Sequence, residues 1–294
     1  MDIATLSVFR TVAQEQGITR AAELLGRVPS NVTTRIQQLE AEIGATLFLR
    51  DKKRMSLTPE GQTFLEYAER ILNLAQEAQQ RVNPASPTGI LRIGSMESTV
   101  ASRLPALLAA FCTAWPQVKL ELSTSPTRQL VSALEDHRID AALIAVPSGE
   151  WWLGEREIDK TPVFREELVL LLPKTHPDIT HADDIEINAL AAFAPGCTYR
   201  MLAEEWLTRF GERKAPLNIQ EVGSYHAMYA CSAAGASISI MPRSVLNLMG
   251  DASDVKIHPL MNVDTHLACR RGYDTPAFRE FRDILVKSGN IAQP

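Results

Sequence analysis

The sequence predicts a multidomain α/β chain. Its parts are a winged helix-turn-helix over residues 1–58, a long linker helix and hinge over 59–88, and a C-terminal domain of two α/β subdomains over 89–294. The second subdomain covers roughly 164–264. Three observations predict this. Apolar residues recur at helical spacing through the first eighty or so positions, punctuated by glycines. The run Asn83-Pro84-Ala85-Ser86-Pro87-Thr88-Gly89 then breaks the pattern as a hinge would. From Ile90 onward, strand-like runs alternate with helical ones, which argues a mostly parallel sheet covered by helices.

Leu6, Phe9, Val12 and Ala13 place one amphipathic helix at the start, ending near Gly17. Thr19 is expected to cap a short second helix, Arg20 to Leu25, whose small pair Ala21-Ala22 permits close helix approach. Gly26 supplies a turn, and Pro29 suits the first position of a third helix. Val32, Ile36, Leu39 and Ile43 form that helix's apolar stripe, which ends at Gly44. Its other face, Ser30, Asn31, Thr33, Thr34, Arg35, Gln37 and Gln38, is rich in hydrogen-bonding groups and almost free of acid. Two short helices about a glycine turn, the second with an unburied polar face, follow the helix-turn-helix plan.

Thr46–Arg50 and Met55–Thr58 read as two short strands joined by the basic tip Asp51-Lys52-Lys53-Arg54, a wing. Thr58 is placed to cap the next helix, with Pro59 in its first turn and Glu60 favourable at the positive end. That helix runs to about Val82. Phe64, Ala68, Ile71, Ala75, Ala78 and Val82 keep spacings of three and four, a seam suited to pairing with a second helix.

In the C-terminal part the strand-like runs are ILRIG, VKLEL, IDAALIAV, EELVLLLP, ASISIMP and THLACR, with EELVLLLP starting afresh midway. Ligands in such architectures sit beyond the carboxyl ends of strands, in the crevice between halves. Cys112, Cys197, Cys231 and Cys269 are far apart, and neither they nor the histidines make a metal-like group, so no metal or cofactor is expected.

The net charge of −5 hides a gradient. Residues 1–58 hold eight Lys/Arg against six Asp/Glu, and residues 89–294 hold twenty against twenty-five. A modest basic excess at one end is weak evidence for nucleic acid by itself. No run of about eighteen apolar residues is present, and the N-terminal stretch lacks a basic start and solid apolar core, so a cytoplasmic protein with no membrane partner is expected. An enzyme is disfavoured: there is no glycine-rich phosphate loop after a strand, no nucleophile elbow and no clustered ligand set. A transport-type small-molecule binding protein would fit residues 89–294 but would leave the first 88 without a purpose.

Phe9, Ala21-Ala22, Leu25, Gly26, Ile36, Leu39-Glu40, Gly44, Leu47-Phe48, Arg50, Leu57-Thr58 and Gly61 stand in the ungapped spacing of the LysR-type transcriptional regulators, which the N-terminal block resembles. Leu91-Arg92-Ile93-Gly94, Ile139-Asp140, EELVLLLP with His176-Pro177, and AAGASISIMP at 233–242 are similar to that family's sensor. The resemblance spans the chain. It implies a sensor of periplasmic-binding-protein type, homodimers through residues 59–82 assembled into homotetramers, and bending of double-stranded promoter DNA. It also implies activation or repression governed by a small effector, with RNA polymerase as a partner at the promoter. Two departures stand out. Val28-Pro29 occupies the place where the family usually carries Ser-Gln, and Lys53 stands where it usually has arginine; lysine neutralises phosphate but lacks the guanidinium fork.

In that register Ser30, Asn31, Thr33 and Thr34 are candidate groove contacts. Arg35, Arg50, Lys53 and Arg54 are candidate phosphate contacts, with Arg35 alternatively paired to a carboxylate inside its own domain. For the effector, Ser98 and Thr99 follow the first sensor strand and either bind a polar group or cap a helix. Thr127 and Ser224 open later helices facing the same crevice. Arg200 matches a place where relatives put an effector-facing residue; there it either binds a carboxylate or makes a structural ion pair. The expected effector is therefore small, polar and carboxylate-bearing.

Overall fold

The structure is a computed structural model whose described residues are 1–51, 54–82, 86–147, 157–208, 216–289 and 291, with the side chains of Arg50 and Asp51 excluded. The wing tip Lys52-Lys53 and the hinge residues Asn83-Pro84-Ala85 lie outside them. Two compact units form, one from Met1–Pro84 with Asp136–Arg138 and one from Ala85–Glu135 with Ile139–Pro294.

The first unit opens with α1 (Ile3–Glu15), capped by Asp2, whose carboxylate accepts from Thr5 N at 2.7 Å. The left-handed residue that ends α1 is Gln16, not Gly17. Gly17 instead caps α2 (Ile18–Leu24), so Thr19 lies inside that helix and caps nothing. After the turn at Gly26, α3 (Pro29–Ile43) begins with proline in its first turn and no side-chain cap at Val28, and it ends at Gly44, where φ is 77°. The wing strands β1 (Phe48–Asp51) and β2 (Arg54–Leu57) pair antiparallel, Phe48 opposite Leu57. Glu40 holds the wing to α3: its Oε1 accepts from Leu47 N at 2.8 Å and Phe48 N at 3.1 Å. Thr58 Oγ1 accepts from Gly61 N at 2.9 Å and donates to Thr46 O, fixing the start of α4 (Pro59–Val82) against the wing. A Cβ at Gly61 would overlap Leu47 O, which explains the glycine. Phe9 is fully buried, its ring 5.2 Å from Phe48 and 5.0 Å edge-on to Phe64. Phe64 and Ala68 are thus spent inside the unit. The large apolar residues of α4 left exposed are Tyr67, Ile71, Leu74 and Val82. Of the expected seam, Ile71, Ala78 and Val82 are exposed, and Tyr67 and Leu74 extend that stripe.

The second unit runs β3 (Gly89–Ser95), α5 (Glu97–Ser102), α6 (Leu104–Ala114), β4 (Val118–Thr124), α7 (Thr127–Glu135) and β5 (Ala141–Val146). Then come β6 (Ile158–Pro173), β7 (Ala189–Ala192), α8 (Thr198–Thr208), β8 (Asn218–Glu221), α9 (Tyr225–Ala233), β9 (Ile238–Pro242), α10 (Arg243–Leu246), β10 (Val255–Arg270) and α11 (Pro276–Ser288). One eight-stranded sheet has the order β4-β3-β5-β10-β6-β9-β7-β8. Within each half the neighbours β4-β3-β5 and β9-β7-β8 are parallel. The halves are joined by β6 and β10, sixteen residues each and antiparallel to one another. Both strands are longer than the sequence runs read for them, by Ile158–Arg165 and Val255–Asp264. Phe111 and Phe281 clasp α6 to α11 with ring centroids 5.4 Å apart, while Tyr225, Met228, Val245 and Leu246 build the core under α9 and α10.

Candidate effector cavity and DNA-facing surface

Strand ends from both halves meet at one cavity of about 200 Å³ in the second unit. Met96, Glu97 and Ser98 follow β3; Ser125, Pro126 and Thr127 follow β4; Phe193 follows β7; Gly223 and Tyr225 follow β8. Cys197 and Tyr199 reach it from the start of α8. This is the place where parallel α/β halves bind ligands, because helix N-termini with free N–H groups gather there.

The chemistry of the lining is unusual in having several buried polar atoms without partners. Ser98 Oγ, Thr127 Oγ1, Tyr199 Oη and Glu97 Oε2 are all buried and none has a hydrogen bond of good geometry. Ser98, Thr127 and Tyr199 are at most 3% exposed. Orphaned groups of this kind are rare in folded interiors and call for a polar partner, an ordered water or a ligand. Ser237 Oγ and Thr265 Oγ1 are in the same state outside the lining. Burial raises the Glu97 carboxyl above its ordinary value, opposed by nearby His226. Burial likewise raises the Cys197 thiol and the Tyr199 and Tyr225 phenols, so these three keep their protons at neutral pH and remain donors.

Of the effector residues read from the sequence, the structure brings Ser98 and Thr127 together in this cavity. Thr99 is buried and does not line it. Ser224 caps α9, its Oγ accepting from Ala227 N at 3.2 Å. Arg200 lies in an adjoining cavity of about 210 Å³ with Arg128, Gly196, Met201 and Glu204. Its guanidinium donates to Glu204 Oε1 at 2.8 Å and to Phe193 O at 3.0 Å, with Glu221 at 3.6 Å. The structural ion pair is therefore the alternative that the geometry favours for Arg200. Glu97, Phe193, Tyr199 and Tyr225 went unread in the sequence, because an acid at a helix start and aromatics beside strands look like ordinary capping and core. The one usable signal was the segment Gly196–Arg200, where the residue that reaches the cavity is Tyr199.

On the first unit, α3 exposes Ser30, Asn31 and Thr34, with Thr33 half-buried. Thr33 and Thr34 donate their hydroxyl protons to Pro29 O and Ser30 O, which leaves the hydroxyl oxygens as acceptors. Asn31 Oδ1 accepts from Arg27 Nη1 at 3.2 Å, a partner that sequence reasoning missed. Arg35 donates to Thr5 Oγ1 at 3.1 Å and lies 3.7 Å from Asp2, so its guanidinium is partly engaged within the unit. Arg54 is exposed at the start of β2. Lys53 and the Arg50 side chain lie outside the described residues.

Residues 3–62 match the bacterial regulatory helix-turn-helix protein model of the lysR family, and residues 84–289 match the LysR substrate binding domain. The transcriptional regulator GltR of Bacillus subtilis is 37% identical over 300 residues, spanning all of this chain and 99% of the relative. The transcriptional regulator CzcR of the same organism is 30% identical over 298 residues, with 99% of both chains covered. Among solved structures, a full-length OxyR variant from Pseudomonas aeruginosa aligns with a TM-score of 0.71 at 22% identity, covering 100% of this chain and 99% of that one. CbnR in complex with its target DNA aligns with a TM-score of 0.66 at 24% identity, covering 98% and 100%. These two agree with the fold described above. No helix among the described residues is long and apolar enough to cross a membrane. The curated relatives are regulators and not enzymes, and this chain belongs to the LysR family of transcriptional regulators, with an N-terminal helix-turn-helix and a C-terminal effector-binding domain.

Proposed function

We propose that this regulator binds double-stranded operator DNA through α3 and the wing, and that a small polar effector bearing a carboxylate, held in the 200 Å³ cavity, controls it. The observation that carries the effector reading is the set of orphaned hydroxyls of Ser98, Thr127 and Tyr199 where strand ends of both halves meet. Hydroxyl donors and the N–H groups opening α7 and α8 suit an anionic oxygen pair without any guanidinium. Arg200 is engaged by Glu204, Phe193 O and Glu221 and is not called on to hold the carboxylate. The groove contacts are Ser30, Asn31, Thr33 and Thr34. Arg35, Arg50, Lys53 and Arg54 hold phosphates, Arg35 with whatever capacity its internal contacts leave. A homodimer forms through α4 and doubles to a tetramer. Such a protein works where the DNA is, in the cytoplasm.

The test is a fluorescence-anisotropy titration of full-length protein with DNA from upstream of its own gene, repeated with small carboxylic acids present. Specific binding with a steep salt dependence, altered by a compound whose effect is lost in Thr127→Val, supports the reading. DNA affinity that ignores sequence, or an effect untouched by Thr127→Val, removes the operator or the cavity assignment respectively.

A further inference from the structure

Resting on the reading of this cavity as the effector site, we propose that the effector carries a cationic amine beside its carboxylate, as an α-amino acid does, and that Glu97 is the amine's counter-ion. The cavity lining contains one acidic side chain, Glu97, and no Lys, Arg or His. Glu97 Oε2 is buried there with no hydrogen-bond partner. The three orphaned hydroxyls both donate and accept, so alone they would serve any polar group. An ionised carboxylate only accepts, and one half-withdrawn from water favours a cation at its buried oxygen. His226 lies near Glu97 but does not line the cavity, and Oε2 has no hydrogen-bond partner there. An effector with carboxylates alone would set anion against anion at this end of the cavity. A zwitterion meets both demands: its ammonium faces Glu97, and its carboxylate takes the hydroxyls and the helix-start N–H groups. Phe193 and Tyr225, edge to face with centroids 4.9 Å apart, add aromatic surface that attracts an ammonium. The volume also fits. At about 200 Å³ the cavity is below the range of roughly 300–1,000 Å³ that holds drug-sized ligands, which suits a metabolite of amino-acid size.

One other chemistry would put Glu97 to use: protonated, it could donate to a carboxylate of an amine-free acid. The two differ in what glutamine does at this position, since Gln keeps a donor and removes the charge. The experiment is calorimetric titration of the full-length protein with the common protein amino acids and with the same carbon skeletons carrying hydroxyl or carbonyl in place of the amine. At least one amino acid is expected to saturate the protein, with its amine-free counterpart weaker by about tenfold or more, the scale of one lost charge-assisted contact. Glu97→Gln is expected to lower the amino acid's affinity by a similar factor, with an unchanged circular dichroism spectrum. The wild-type comparison needs no variant and stands even if Glu97→Gln folds poorly. Equal or tighter binding of amine-free acids, full affinity in Glu97→Gln, or no saturable binding by any amino acid overturns the proposal. An amine-free acid whose binding is lost in Thr127→Val would overturn the amine while leaving the cavity reading in place. A ligand indifferent to both substitutions would remove the cavity reading itself.

Discussion

Arg103 and Glu166 form a two-point ion pair, Nε to Oε1 at 2.6 Å and Nη2 to Oε2 at 3.1 Å, with Glu166 only 3% exposed. Ser244 Oγ, on α10, donates to the same Oε2 at 2.6 Å. Arg103 directly follows α5, the helix that begins with the cavity-lining Glu97 and Ser98. One carboxylate on β6 therefore ties the far end of that short helix to the other half of the sheet. A ligand that moved α5 would have to strain or re-form this cluster.

Glu166→Ala leaves a guanidinium and a serine hydroxyl without their acceptor. Removing one partner of a buried ion pair typically costs 3–5 kcal/mol; Arg103 retains some water, so about 2 kcal/mol is expected here. Glu166→Gln should lose less, since its one amide oxygen can still accept from Arg103 Nη2 and Ser244 Oγ, although its amide nitrogen then faces Arg103 Nε. Tryptophan fluorescence in denaturant reads this unit, because all four tryptophans lie in residues 115–206. A midpoint unchanged in Glu166→Ala would show that the cluster contributes nothing net.

The helix-turn-helix was legible because its periodicity and glycine stops are local: Val32, Ile36 and Leu39 are buried as the stripe requires, its last member Ile43 is 41% exposed at the helix end, and Gly44 ends α3 in the left-handed region. The two long strands were not legible over their full length. Pro162 lies within β6 and Pro259 within β10, and proline normally argues against a strand because it removes a ladder donor. The sheet tolerates Pro259 at a register irregularity between Pro259 and Met261. Arg200 shows a different limit. Its pairing with Glu204 is readable as an i,i+4 contact, but Phe193 O and Glu221 arrive only through tertiary structure.

The exposed stripe Tyr67, Ile71, Leu74 and Val82 on α4 is where the proposed dimer is expected to be broken. Ile71→Asp with Leu74→Asp should shift analytical ultracentrifugation toward monomer, because two charges enter an apolar interface. Phe64→Asp should instead unfold the unit, since that ring packs on Phe9. A double-aspartate variant that stayed dimeric would place the interface elsewhere.

Recognition helix and wing should separate in binding-site selection. Asn31→Ala should change base preference, with about 1–3 kcal/mol lost at one position. Arg54→Ala should weaken all sequences alike and flatten the salt slope by roughly one unit. The opposite pattern would reverse the two roles.

The raised Glu97 carboxyl has a consequence for the ligand-free protein. Folding disfavours its ionised form, so wild type loses stability as pH rises through the folded value, whereas Gln at this position does not titrate. Glu97→Gln should melt higher than wild type at pH 7, and the gap should close as pH falls below 4.5, where both side chains are neutral. A gap independent of pH would mean that the difference is one of packing.

Tyr199→Phe should stabilise the ligand-free protein, an outcome contrary to the usual effect of altering a buried residue. The Tyr199 phenol is 3% exposed, and its oxygen lies among Ser98 and Thr265 without a hydrogen bond of good geometry to either. A buried hydroxyl in that state carries its desolvation cost, about 1–3 kcal/mol, with no compensating bond. Phenylalanine removes the cost and keeps the ring packed, leaving only the small void of one oxygen. A gain of about 1 kcal/mol corresponds to a rise of roughly 2–4 °C in melting temperature for a domain of this size. The same substitution should reduce the thermal shift produced by a bound effector, because the hydroxyl's partner is then missing from the complex. Opposite signs in the two measurements would mark Tyr199 as a ligand-binding group. A melting temperature that fell without ligand would instead show that the hydroxyl is already satisfied within the fold, and the cavity would then offer its ligand one donor fewer.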